Sequence, residues 1–176
     1  MSVNRSSTQV LIFSLLPVRR PGAPGQALND LVLESSTGNR YITMILAALD
    51  PASGRLVYLN AGHNAGILLR EDGRHELLES GGPPVGLLPV AQFEPDQVDL
   101  APGDLACLYS DGITECASPS GEDFEIERLL DLLREHQGEP LERIVDEIER
   151  VMTEFVAGGP QGDDQTVVLL RRSSPA

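Results

Sequence analysis

The apolar positions of this chain change their rhythm along its length. Residues 41–49 form an apolar run broken by Thr43, and residues 55–59 form a shorter one. The stretch Asp50-Pro51-Ala52-Ser53-Gly54 between them has turn chemistry, so the pair predicts a hairpin. Residues 67–70 and 75–78 flank Glu71-Asp72-Gly73 and predict a second hairpin, with glycine supplying the positive φ of a tight turn. Two further runs, 105–110 after Pro102-Gly103-Asp104 and 166–171 near the end, bring the prediction to about six strands. They are apolar at successive positions, which predicts strands covered on both faces.

Between those last two runs the spacing becomes helical. Residues 124–136 place Ile126, Leu129, Leu130, Leu132 and Leu133 on one side. Leu141, Ile144, Val145, Ile148, Val151, Met152 and Phe155 then keep the i, i+3, i+4, i+7 spacing over four turns, until Gly158-Gly159-Pro160. Glu139 with Arg143 and Asp146 with Arg150 stand four residues apart on the wet face, where opposite charges support a helix. A shorter helix is predicted over 26–34, ended by Gly38. Before it, Pro17, Pro21, Gly22, Pro24 and Gly25 predict an irregular segment over residues 1–27. Hairpins followed by a helical pair and one returning strand describe a layered α+β domain without repeats or linkers.

Composition narrows the partners. A chain of 176 residues with 41% hydrophobic content has the length of one domain with a core of its own. Its 27 acidic against 13 basic residues give a formal charge of −14, which repels nucleic acid and anionic membrane surfaces and suits a solvated face, cations or a basic protein. Cys107 and Cys116 make no disulfide framework and lack the neighbours of a zinc site; core or loop thiols in a reducing, cytoplasmic setting are expected. The apolar stretch 10–18 is interrupted by Ser14 and Pro17 and falls short of the roughly 20 residues a membrane span needs.

Aspartates at strand ends are the candidate chemistry, because a rigid sheet fixes a terminal carboxylate well enough to coordinate an ion. Asp111 follows the run 105–110, and Gly112 lets the chain turn away from it. Asp163 and Asp164 precede the run 166–171, so antiparallel pairing of the two runs would bring both carboxylates to one edge. Hard oxygen ligands of this kind suit Mg²⁺ or Mn²⁺. Asp-Gly and Asp-Asp are equally ordinary turn and cap residues. In Asn60-Ala61-Gly62-His63-Asn64, His63 reads either as a general acid or ligand, or as a histidine ordering its own turn.

Five blocks together are similar to a known family. Asn60-Ala61-Gly62-His63, Gly81-Gly82-Pro83-Pro84-Val85-Gly86, Leu100-Ala101-Pro102-Gly103-Asp104, Leu108-Tyr109-Ser110-Asp111-Gly112-Ile113-Thr114-Glu115 and Asp163-Asp164-Gln165-Thr166 occur in the order and spacing of the SpoIIE-type branch of the PPM, or protein phosphatase 2C-like, metal-dependent phosphatases. Tyr41-Ile42-Thr43-Met44 resembles the strand ahead of the family's first hairpin. The resemblance implies a domain over residues 28–172 with a short tail at 173–176, built as a four-layer α-β-β-α sandwich. It implies hydrolysis of phosphoserine or phosphothreonine with Mn²⁺ or Mg²⁺, on a phosphorylated regulatory protein of the anti-anti-sigma type. By the same resemblance Asp111 and Asp163 are metal ligands, supported by Gly112, Asp164, Thr166 and His63.

The family's early Asp-Val-x-Gly-His-Gly block, which brings the bridging aspartate, does not occur in these 176 residues. The chain thus resembles an N-terminally truncated member, holding one ion at most. Opening strands are expected to be missing, or replaced by residues 10–16, with an open sheet edge where two copies could pair. Two other functions stay open: a catalytically silent relative that binds a signalling partner, and an acidic binding module whose aspartates only cap strands.

Overall fold

The computed structural model describes residues 7–14, 22–35, 40–79, 81–157 and 163–173, which form eight strands and four helices. They belong to two compact units, residues 1–65 with 78–100 and residues 66–77 with 101–176.

The sheet of the first unit has the order β1-β2-β3-β6. Strands β2 (Tyr41–Asp50) and β3 (Arg55–Ala61) form the predicted hairpin, in register from Met44↔Ala61 to Asp50↔Arg55. Asp50 shapes its turn: the carboxylate accepts the Ala52 N–H at 3.0 Å and the Ser53 hydroxyl at 2.8 Å. On the other side of β2 lies β1 (Ser7–Ser14), parallel to it from Ser7↔Tyr41 to Ser14↔Ala48. Parallel neighbours require a crossover, and helix α1 (Gly22–Ser35) lies within it.

Strand β1 and the start of α1 correct the expectation of an irregular segment over 1–27. The prolines and glycines from 17 onward lie beyond the strand, and Pro24 falls in the first turn of α1, where its missing N–H costs no bond. The replacement strand expected over 10–16 is present, begun at Ser7 and described to Ser14. The pattern does not predict β6 (Asp96–Asp99), which pairs with β3 from Arg55↔Asp99 to Tyr58↔Asp96. Of its four residues only Val98 is half-buried, too little for an alternation to show. Met44, Leu59, Ala61 and Val85 form a core against which Leu28 and Val32 of α1 pack.

The second unit contains the sheet β5-β4-β7-β8. Strands β4 (Gly66–Leu69) and β7 (Leu105–Tyr109) are buried at every position, as their unbroken apolar runs predict. They pair antiparallel, while β5 (His75–Leu78) and β8 (Val167–Arg171) are the edges among the described residues. Helices α3 (Glu125–Glu135) and α4 (Leu141–Val156) bring Leu129, Leu133, Ile144, Ile148 and Met152 into one cluster with Ile67, Leu69, Leu105, Cys107 and Tyr109. The strand residues in that cluster alternate along the chain, so they belong to one sheet face. Each full burial of a large aliphatic side chain contributes about 1.5–3 kcal/mol.

Phe124 meets Phe155 edge to face with ring centres 5.1 Å apart, closing the start of α3 against the end of α4. Arg150 corrects a predicted pairing: it bonds Glu147 and Glu154 along α4 in place of Asp146. The residues 158–160 expected to stop α4 lie outside the described residues, and the helix ends on Ala157 in the left-handed conformation. Both cysteines are buried and free of disulfides, and burial pushes the Cys107 thiol up to about 12.

The block Leu100-Ala101-Pro102-Gly103-Asp104 acquires a structural reason. Asp104 is 2% exposed, and its carboxylate accepts from Arg70 Nη1 at 2.7 Å, from the Ala101 N–H at 2.9 Å and from the Glu71 N–H at 3.1 Å. One carboxylate thereby ties the β4–β5 turn to the entry of β7, and its burial is offset by three donors.

Candidate metal centre

Strands β7 and β8 are antiparallel neighbours, in register from Leu105↔Arg171 to Tyr109↔Val167. The end of β7 and the start of β8 therefore share one edge of the sheet, which brings Asp111 and Asp163 to the same place. Asp111 opens a single helical turn, α2 (Asp111–Thr114), too short for periodicity to reveal. It is half-buried, and Asp163 is exposed.

The two segments are stitched by a residue the motif reading passes over. Ser110, 7% exposed, donates its hydroxyl to the Asp164 carbonyl at 2.9 Å and accepts the Thr166 N–H at the same oxygen, also at 2.9 Å. Its own N–H reaches the Thr166 carbonyl at 3.0 Å, extending the ladder past the last strand pair. Gln165 adds a side-chain bond from Nε2 to the Gly112 carbonyl at 3.2 Å.

Gly112 is needed for closeness. A Cβ there would stand 2.4 Å from the Asp164 carbonyl oxygen and 3.0 Å from its carbon, so only glycine lets the two chain segments approach this far. Asp164 and Thr166 act through their main chains, their side chains being exposed. The Asp164 N–H also donates to Asp163 Oδ1 at 2.8 Å.

Electrostatics register the same gathering. The Glu115 carboxyl, just after α2, is pushed above its ordinary range, first by burial and then by the negative charges of Asp111, Asp123 and Asp163. Carboxylates collected at a strand edge form a hard-oxygen donor set that favours a small divalent cation. Among the described residues, no group of three or more His, Cys, Asp or Glu side chains is placed to hold an ion. Asp111 and Asp163 are the residues that would hold a divalent ion here, through hard oxygen donors, with water filling its other positions.

His63 is placed in the other unit, in a different chemical setting. It is 7% exposed; its N–H donates to Asn60 Oδ1 at 2.8 Å, and its Nδ1 lies 3.4 Å from Thr43 Oγ1. Asn60, wholly buried, donates in turn to the carbonyls of Leu78 at 3.2 Å and Asn64 at 3.3 Å. Gly62 has φ of +68°, with Pro84 ring carbons 2.6 Å from where a Cβ would stand. This is a turn organised by Asn60, to which the His63 main chain bonds.

Comparison with known proteins gives the family and the fold. Residues 2–173 match the family described as Stage II sporulation protein E (SpoIIE). Protein IcfG of Synechocystis sp. is 32% identical over 133 residues, covering 76% of this chain and 21% of its own length. Phosphoserine phosphatase RsbP of Bacillus subtilis is 24% identical over 170 residues, covering 97% of this chain and 40% of its own length. The chain thus spans well under half of these curated relatives. The SiaA-PP2C domain of Pseudomonas aeruginosa superposes with a TM-score of 0.77 at 22% identity, over 87% of this chain and 61% of that one, a likeness of fold. Among the described residues, no helix is long and apolar enough to cross a membrane. With its strand-end aspartates, its paired hairpins and a family match over nearly all its residues, the chain belongs to the SpoIIE family and has the α+β fold of PP2C-type phosphatase domains.

Proposed function

We propose that this chain carries half of a metal-dependent phosphatase centre acting on phosphoserine or phosphothreonine of a regulatory protein, of the anti-anti-sigma type. The observation supporting this most directly is the β7–β8 pairing, with Gly112 against the Asp164 backbone, which gathers Asp111 and Asp163 at one edge. The relative named as a phosphoserine phosphatase, RsbP, supports the substrate class. In this reading Asp111 and Asp163 hold a single Mn²⁺ or Mg²⁺. Ser110 and Gly112 hold the two carboxylates in place through the main chain of residues 164–166. A bound divalent ion supplies neutralisation of phosphate charge and acidification of water. Pairing of two copies through an open sheet edge belongs to the same proposal and is read by sedimentation.

A second reading, a catalytically impaired relative acting by protein binding, is favoured by one observation: among the described residues no group of three or more His, Cys, Asp or Glu side chains is placed to hold an ion. Hydrolysis of p-nitrophenyl phosphate across a Mn²⁺ titration separates the two. An enzyme loses roughly 100-fold or more of its turnover on Asp111→Asn and on Asp163→Asn, with little change in melting temperature because Asp163 is exposed, Asp111 is only half-buried and the substitution keeps the side chain's size. A folded wild-type protein without turnover at any Mn²⁺ concentration leaves the second reading. Calorimetric Mn²⁺ titration of the same variants tests the ligand assignment itself.

A further inference from the structure

Beside the aspartate edge, within the second unit, lies an open groove of about 310 Å³ between α4 and the start of β8. Ile113, Ile148 and Met152, all 5% exposed or less, make its floor, while Val145 at 38% and half-buried Val167 stand higher on its walls. The remaining lining residues are polar and exposed: Glu149 of α4, and Gln165. This volume is at the bottom of the range for small-molecule sites, roughly 300–1,000 Å³, and suits one or two aliphatic side chains better than a cofactor.

Gln165 makes the groove continuous with the candidate centre. It stands two residues after Asp163, and its amide donates to the carbonyl of Gly112, the residue after Asp111. Ile113 on the floor follows Gly112 directly. A phosphorylated side chain brought to the Asp111–Asp163 edge with a divalent ion present would thus lay its flanking residues along this groove. The groove wall is acidic: Glu149 lines it, and Arg150, the neighbouring cation of α4, is drawn to Glu147 and Glu154.

Resting on the phosphatase reading, we propose that this groove is a specificity site for a phosphoprotein segment, taking an aliphatic side chain near the phosphoserine, with a basic residue facing Glu149. The aliphatic group would cover Ile113, Ile148 and Met152, and the basic group would balance a wall carrying negative charge.

The test is fluorescence anisotropy with Mn²⁺ present, using fluorescein-labelled peptides with a central non-hydrolysable phosphoserine analogue in an alanine and lysine background. A single leucine is moved through the three positions on either side. One position, or two adjacent ones, should bind at least fivefold tighter than the leucine-free peptide. Val145→Asp should abolish that preference, and Val145→Ala, a mild change at a partly exposed helix position, should reduce it. Glu149→Arg should weaken peptides with lysine beside the leucine and leave alanine-flanked ones nearly unchanged. A flat leucine scan, or a preference that survives Val145→Asp in protein with native circular dichroism, overturns the groove. Turnover of p-nitrophenyl phosphate is read separately. A leucine preference without turnover keeps the groove and removes the hydrolytic reading, whereas turnover with a flat scan does the reverse.

Discussion

Two strand ends in this protein carry polar residues after an apolar run, and they use them in opposite ways. At the end of β3, Asn60 and His63 turn inward, 0% and 7% exposed, and bond main-chain groups and a threonine. At the end of β7, Ser110 and Gln165 make the side-chain bonds to the main chain that join the two segments, beside half-buried Asp111 and exposed Asp163. Burial makes the first a structural joint, because a buried amide with three partners stabilises one loop conformation. Division of labour makes the second a candidate site, because Ser110 and Gln165 bond the scaffold while Asp111 and Asp163 present the charge.

The largest effect should come at the buried joint. Asn60→Ala leaves the Leu78 and Asn64 carbonyls and the His63 N–H to find other partners, and should cost about 3 kcal/mol in urea denaturation, from penalties of roughly 1–3 kcal/mol per buried group. Mn²⁺ binding per folded molecule should be unchanged, since the Asn60 side chain bonds the Leu78 and Asn64 carbonyls and the His63 N–H. A loss of binding without a loss of stability would reverse the assignment of the two ends. Next is Gly112→Ala, whose methyl meets the Asp164 carbonyl at 2.4 Å. Moving a strand start to relieve that contact should cost about 2 kcal/mol, within the range for overpacking, and should weaken Mn²⁺ binding as well.

Ser110→Ala is the milder version of the same break. It removes two hydrogen bonds of 2.9 Å and should cost about 1–2 kcal/mol. Ser110→Thr retains the hydroxyl and should recover most of both stability and Mn²⁺ affinity. If Ser110→Ala lowers stability and leaves Mn²⁺ affinity untouched, the stitching does not position the carboxylates.

Why the sequence disclosed some of this and hid the rest follows from where each signal lies. The β2–β3 and β4–β5 hairpins, α3 and α4 were legible because their apolar spacing and turn residues agree, and β4 and β7 because a strand buried on both faces reads as an unbroken run. Strand β6 was hidden by having one half-buried residue, and β1 was legible only as a replacement strand over residues 10–16. The partnership of Asp111 and Asp163 required knowing that β7 and β8 pair, which no local pattern states. Ser110, Gln165 and the reason for Gly112 were invisible for the same cause: each acts on a segment more than fifty residues away in the chain.

The smallest effect probes charge alone. Burial and the neighbouring carboxylates raise the Glu115 carboxyl, so the folded chain holds that proton more tightly than the unfolded chain does. Stability linked to this group is then intact below the ordinary carboxylate range and falls as pH rises through it toward the raised folded value. Glu115→Gln should therefore stabilise the protein at pH 7, by under about 0.5 kcal/mol as for other exposed substitutions, and make no difference near pH 3, where the carboxyl is protonated in both states. Saturating Mn²⁺ at Asp111 and Asp163 should shrink the gain at pH 7, because a cation between those carboxylates removes the repulsion that Glu115 experiences. Gains equal at both pH values would mean that Glu115 responds to packing rather than to its charged neighbours, and the β7 end would then differ from the β3 end in exposure alone.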